Sequence, residues 1–250
     1  MAAFVNGVTN YDEWRDHSKD NKRYLERMAL ISSGLSDAMR LVQAVVVSKM
    51  TGKLEDMWAL STSVLMNPIC QCRAKDPECI CHDCYACTSA SKYSTITQAL
   101  ETNHHILNDF LIPETAWAAL HFPTTNGDAR IEWAGDVASI TCARNYLRII
   151  KTHPWLNFGV WTKNVNIWIH AFELESGKPK NMKFIVSSPY VNRPVEIPEE
   201  WLPYVDHRFT VYTKEYAEAH GIVINCGGRK CVICRNCYGD GPFDIAELKK

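Results

Sequence analysis

The sequence predicts an α/β fold on a parallel sheet, either open or curved into a partial (β/α) barrel, with a helical lead-in and two cysteine-rich metal loops. Three observations carry this. From about residue 130 short apolar strands alternate with helical stretches, which is the signature of βαβ units. The first 56 residues carry helical periodicity only. Ten of the eleven cysteines fall in two windows: Cys70, Cys72, Cys79, Cys81, Cys84 and Cys87, then Cys226, Cys231, Cys234 and Cys237. The expected division is a lead-in over 1–56 and a cysteine-rich α/β domain over 57–250.

In chain order, residues 12–31 read as a charged helix capped by Thr9 or Asn10 and stopped at Ser33-Gly34. A second helix is expected over 36–50, and a third over 89–108 after the first cysteine window. Pro113, Pro123 and Asn126-Gly127 punctuate the stretch that follows. Strands are then expected over 130–134, 157–161, 182–186, 208–212 and 221–224, with helices over 137–152, 164–175 and 214–220. The tail after Gly239 reads as peripheral.

Bulk composition narrows the setting. A chain of 250 residues, 46% hydrophobic and 22% charged, suits one sizeable globular core. A net charge of −1 does not indicate nucleic-acid binding. No run reaches the ~20 apolar residues of a membrane span, and Asp12, Glu13, Arg15 and Asp16 do not suit a signal peptide. The expected location is the cytoplasm, where thiols stay reduced. The odd cysteine count also argues against a disulfide framework.

Clustered thiols in a reducing compartment point to metal. Each window contains a C-x-x-C-x-x-C run, Cys81/Cys84/Cys87 and Cys231/Cys234/Cys237, which aims three sulfurs of one short loop at one place. Cys226, Cys231, Cys234 and Cys237 are expected to hold one iron–sulfur cluster, with Gly227-Gly228 allowing a tight fold beneath it. Cys70, Cys81 and Cys84, with Cys87 as fourth ligand, are expected to hold a second cluster or complete a shared one. Zinc is the alternative, although zinc sites usually join two separated C-x-x-C hairpins.

The expected strands end in polar pairs: Gly135-Asp136, Lys163-Asn164, Ser187-Ser188, Thr213-Lys214 and Asn225-Cys226. In a parallel sheet these ends share one face, where such folds place ligands. Gly135, Asp136, Lys163, Asn164, Ser187 and Ser188 are therefore candidate cofactor-binding residues, with Asp136 and Lys163 as the charged recognition pair. The competing role for Asp136 is a plain helix cap.

Several segments together resemble the phage-associated gene-product-eighty-eight family. The resemblance is carried by N-P-x-C at 67–70, C-x-x-C-Y-A at 81–86, G-D at 135–136, W-T-K-N at 161–164, S-S-P-x-V-N at 187–192, F-T-V-Y at 209–212 and the closing cysteine run at 226–238. It implies a phage- or prophage-encoded protein. That family in turn looks similar to radical S-adenosylmethionine enzymes, which implies a partial barrel, a [4Fe–4S] cluster on Cys70, Cys81 and Cys84, and S-adenosylmethionine as a cofactor. The usual C-x3-C-x2-C spacing of those enzymes is absent here.

Two functions compete at this stage. One is an iron–sulfur redox or radical enzyme acting on a small molecule with an electron donor. The other is a non-catalytic zinc- or cluster-stapled protein that binds a partner or single-stranded nucleic acid through Tyr85, Trp161, Tyr190 and Tyr238.

Overall fold

The computed structural model describes residues 38–249. Its centre is a seven-stranded sheet in sequential order: β1 (Ser48–Lys49), β2 (Trp58–Leu60), β3 (Asp128–Ile131), β4 (Asn157–Thr162), β5 (Met182–Ser187), β6 (His207–Tyr212) and β7 (Asp244–Leu248). Only β1 runs antiparallel, against β2; the other pairings are parallel. The sheet is open and does not close into a barrel. The strand order never reverses, so right-handed crossovers stack the connecting helices on one face and leave the other to the closing cysteine loop.

Two rows of side chains show how the faces divide. Leu60, Ile131, Val160 and Phe184 stand side by side across four strands and face the helical core. One residue earlier, Ala59, Arg130, Gly159 and Lys183 form the opposite row, because side chains alternate along a strand. The first row is large and apolar; the second is small or cationic. That contrast decides which face packs helices and which receives the cysteine loops.

The helices are α1 (Ala38–Ala44), α2 (Pro68–Arg73), α3 (Tyr85–Lys92), α4 (Ser94–Asp109), α5 (Glu114–Trp117), α6 (Ile140–Thr152), α7 (Val165–Leu174), α8 (Lys214–Ala219) and α9 (Cys231–Cys234). α6 buries Cys142, Tyr146, Ile149 and Ile150 along one stripe against the sheet. Its C-terminal end is held by Asn181, whose amide donates to the carbonyls of Ile150, His153 and Leu156 at 3.0, 3.1 and 3.0 Å. These bonds satisfy groups that every helix end leaves unpaired.

The structure corrects several boundaries. Among the described residues the helix expected over 36–50 covers Ala38–Ala44 and stops before the β-branched run Val45-Val46-Val47, which is not helical. Asn103 fixes it by bonding both the amide and the carbonyl of Val46 at 2.8 Å. Residues 38–49 thus join the same core and sheet as the rest of the chain. The helix expected over 89–108 is two helices, because Tyr93 between them is extended and the Thr97 hydroxyl bonds its carbonyl. The strand expected over 130–134 stops at Ile131, since Glu132 turns into the left-handed region at φ 56°. The strand expected over 221–224 is absent, and the tail expected to be peripheral supplies β7 in its place, with Ile245 and Ala246 buried. Asn225 runs beside that strand, exchanging hydrogen bonds with Ala246. The helix expected over 12–31, with its caps, lies outside the described residues.

Candidate metal and ligand site

The first cysteine loop is positioned from its first turn. Asn67 caps α2, its side-chain oxygen accepting from the amides of Ile69 and Cys70 at 3.0 and 3.3 Å, and Pro68 pre-sets the helical φ. The same Asn67 side chain donates to the carbonyl of Asp136 at 2.7 Å, bolting Cys70 to the end of β3. The far side of the loop is pinned to the segment after β5 by Ile80 N–H to Pro189 O at 2.8 Å.

Cys70, Cys81, Cys84 and Cys87 line one cavity of about 160 Å³, together with Arg73, Arg130, Glu132, Gly135, Asp136, Trp161, Lys163 and Ser187. Every one of these cysteines is a free thiol. Burial pushes the Cys70 thiol well up, and the charges of Asp136, Cys81 and Cys84 push it further. Burial likewise raises Cys81 to about 11. Cys84 goes the other way, to about 6, because the Cys87 thiol bonds it and, against burial, the amides of Cys87 and Ala86 at the start of α3 add to this. Cys87, the donor to Cys84, is raised in turn. Within the pair, Cys84 gives up its proton more readily than Cys87.

Lys163 supplies the positive charge. Burial works to discharge it, yet Cys81, Asp136, Cys70 and Cys84 together raise its pKa. Asp136 is held on all sides: it accepts from Thr162 Oγ1 at 2.6 Å, Lys163 N–H at 2.7 Å and Val137 N–H at 2.8 Å. Arg73 stands 3.7 Å from it. Burial raises its pKa against Lys163 and these hydrogen bonds. It does not cap α6; Ser139 does, accepting from Cys142 N–H at 3.1 Å.

Gly135, Asp136, Lys163 and Ser187 thus meet the four cysteines, whereas Asn164 and Ser188 do not line the cavity. Asn164 donates to Val137 O at 2.7 Å and braces the loop. The Ser188 hydroxyl bonds Tyr190 within its own turn. Cys79 is buried and accepts from Cys81 N–H at 3.4 Å; Cys72 is exposed and Cys142 lies in the core.

Glu132 went unnoticed in the sequence, where it sits inside an apparently apolar strand. It is fully enclosed; its carboxylate accepts from Thr62 Oγ1 and Tyr146 Oη, each at 2.7 Å, and from Thr62 N–H at 3.1 Å. Its left-handed backbone costs about 1–3 kcal/mol, a strain typical of functional positions. A carboxylate amid Ile131 and Trp133 was the one signal that could have found it. Burial raises its pKa from 4.5 to about 7. Its neutral form is favoured by folding, so this stabilisation is complete below pH 4.5 and disappears as pH rises through 7. The wild-type stability measured against Glu132→Gln should fall by about 3 kcal/mol between pH 4.5 and 8. Urea unfolding of metal-free protein across that range checks this; a pH-independent difference would contradict it.

The second cysteine set gathers apart from the first, on the free face of the sheet. Cys226 is placed by its amide bond to Ala246 O at 2.9 Å, and Lys53 Nζ donates to its sulfur at 3.0 Å. Cys231 and Cys234 form the short α9, which ends where Arg235 turns left-handed at φ 53°. Tyr238 then buries its ring against Trp161, 5.7 Å between centroids, directly over Gly159. Burial and the charge of Cys226 push Cys237 up to about 12, while Arg130 opposes this. Cys231 is raised by burial and lowered most by Arg130 and Lys53. Cys70, Cys84 and Cys87 pack in one cluster of side chains and Cys231 and Cys237 in another, with Trp133 packed against both. Tyr238 is buried and Trp161 and Tyr190 are half-buried, so of the four stacking candidates only Tyr85 is broadly exposed.

Among the described residues, no group of three or more His, Cys, Asp or Glu side chains is set to hold a single metal ion. A mononuclear zinc site needs four ligands at ~2.0–2.3 Å from one point. The thiols of the first set share one cavity with Lys163, whose charge opposes theirs.

An open, one-sided parallel α/β sheet with two thiol sets on its free face and strand ends defines a cysteine-rich α/β protein. No curated protein and no solved structure matches the chain. The family of gene product 88 matches residues 38–245, so the chain belongs to that phage family. Among the described residues, no helix is long and apolar enough to cross a membrane.

Proposed function

We propose that this protein is an iron–sulfur protein with one cluster on Cys70, Cys81, Cys84 and Cys87 and another on Cys226, Cys231, Cys234 and Cys237, serving a redox or radical reaction on a small molecule. The observation that carries the reading is the first cavity. There, four free thiols share a small space with the half-buried Lys163 and two buried carboxylates. Bound clusters would supply one-electron chemistry. The chain's own part is to orient and neutralise. Lys163 balances thiolate charge, Asp136 holds the two strand-end loops in register, and Glu132 can keep or release a proton near pH 7 at the cavity wall. Mixed charges and apolar walls fit a small polar, zwitterionic ligand. S-adenosylmethionine is the specific candidate, and Asp136 and Lys163 are the residues that would meet its charged groups.

Reconstitution with iron and sulfide without oxygen tests the reading. Wild type should turn brown, with charge-transfer absorption and iron bound at both sets. A colourless protein carrying stoichiometric zinc would replace this reading with a stapled, non-catalytic binding protein. Titrating S-adenosylmethionine into the brown protein tests the ligand; failure to bind would discard that cofactor and leave the clusters standing.

A further inference from the structure

Three side chains in the wall of the first cysteine cavity have donors and nothing to donate to. Arg130, Trp133 and Lys163 all line it. Arg130 Nε and Trp133 Nε1 are enclosed, and neither has a hydrogen-bond partner among the described residues. Among those residues the Arg130 guanidinium and the Lys163 ammonium also form no ion pair and no hydrogen bond. Buried donors are normally satisfied, so orphans gathered at one cavity point to an acceptor that binds there.

The carboxylates nearby are already engaged. Asp128, two residues before Arg130, is paired with Arg235 at 3.0 Å. Glu132, two residues after it, accepts from Thr62 Oγ1 and Tyr146 Oη, each at 2.7 Å. Asp136 accepts from Thr162 Oγ1 and Lys163 N–H at 2.6 and 2.7 Å and stands 3.7 Å from Arg73. None of the three is within ion-pair distance of Arg130.

Arg130 is nevertheless held in place. Its guanidinium carbon lies 3.6 Å over the centre of the Trp161 ring, and Tyr238 backs that ring at 5.7 Å between centroids. A guanidinium resting on an aromatic face keeps its planar row of N–H donors free at the edge. That fork matches a carboxylate through two parallel hydrogen bonds. The cavity of about 160 Å³ has room for a carboxylate and the few atoms attached to it. Glu132 and Asp136 on the same wall disfavour a group of higher negative charge.

We propose that Arg130 and Trp133, with Lys163 as second cation, form a binding site for the carboxylate of a small organic acid, docked at the edge of the Arg130 fork. This rests on the reading of the cavity as a small-molecule site and requires no metal in it.

Alkylation of the reduced, metal-free, full-length protein tests the site. Iodoacetate carries the carboxylate, and iodoacetamide is its neutral counterpart. Peptide mass spectrometry follows Cys81 and Cys84 in the cavity, with the exposed Cys72 as the reference outside it. The preference for iodoacetate at the cavity thiols should exceed that at Cys72 by about tenfold or more, the weight of a charge-assisted hydrogen bond. The iodoacetate rate there should also saturate with concentration. Arg130→Gln should remove most of the preference, and Trp133→Phe, which keeps the ring and loses the donor, part of it. Arg130→Lys, a point charge without the fork, should restore little. If Arg130→Gln does not fold, competition in wild type decides: acetate should protect the cavity thiols from iodoacetate, and acetamide should not. Inorganic phosphate protecting at lower concentration than acetate would overturn the carboxylate assignment. A preference no greater than at Cys72, one unchanged in Arg130→Gln, or cavity thiols that neither reagent reaches would overturn the site. Each of these failures leaves the cluster reading standing, because iron reconstitution decides that separately.

Discussion

Cys84→Ser and Cys234→Ser should each remove one metal centre and spare the other, lowering bound iron to about half in either variant. The basis is the separation of the two sets: Cys84 lies with Cys70 and Cys87, while Cys231 and Cys237 pack with Tyr238 and Trp161. Metal binding is coupled to folding, so both variants should also melt earlier than the loaded wild type. Cys84→Ser has a second consequence in metal-free protein. Folding lowers the Cys84 pKa from 9.0 to about 6, so its contribution is complete above pH 9 and is lost as pH falls through 6. Its partner Cys87 is raised by folding, so that contribution is present below pH 9 and fades above it. The pair should therefore give reduced, metal-free wild type a stability that climbs from pH 6 toward 9, and the serine variant should flatten the climb. Iron analysis together with melting curves across this pH range checks both halves. Unchanged iron in either variant would remove that cysteine from its ligand set.

Gly159→Ala is the second large effect. A Cβ at this position would lie 2.6 Å from Trp161 Cζ3 and 2.8 Å from Tyr238 Cε1, closer than carbon atoms approach. One of the rings must move, and the natural one is Tyr238, which follows directly on Cys237. Overpacking of this kind costs about 1–3 kcal/mol. The loop that carries Cys231, Cys234 and Cys237 would be lifted from the sheet, so metal at the second set should be lost while the first set keeps its own. Melting temperature and iron content read the two effects. Full iron at both sets, with normal stability, would show that Tyr238 does not seat the loop.

Much of this architecture is determined by sequence. Alternating strands and helices from residue 130 onward are legible because parallel strands buried by helices need continuous apolar runs, and Phe158, Val160, Phe184 and Val186 supply them. The cysteine windows are legible as local clusters because their spacing is short, and in the structure Cys70, Cys81, Cys84 and Cys87 line one cavity. The Asn67-Pro68 entry to the first window is legible as a turn, and in the structure it is the cap of α2.

Other features depend on contacts between residues far apart in the chain. Asp136 reads equally as a helix cap or a ligand group, and only the placement of Thr162 and Lys163 beside it makes it a clasp between two loops. Glu132 ends β3 in a left-handed turn whose cost is met by Thr62 and Tyr146, from 70 residues before and 14 after. Residues 221–224 look like a strand, yet 244–248 occupies the place beside β6. Local propensity cannot decide between two apolar segments competing for one sheet edge. The position of Arg130 belongs to the same class. Side-chain alternation puts it on the face opposite the helical core, and only the tertiary fold sets it over Trp161 in the wall of the first cysteine cavity.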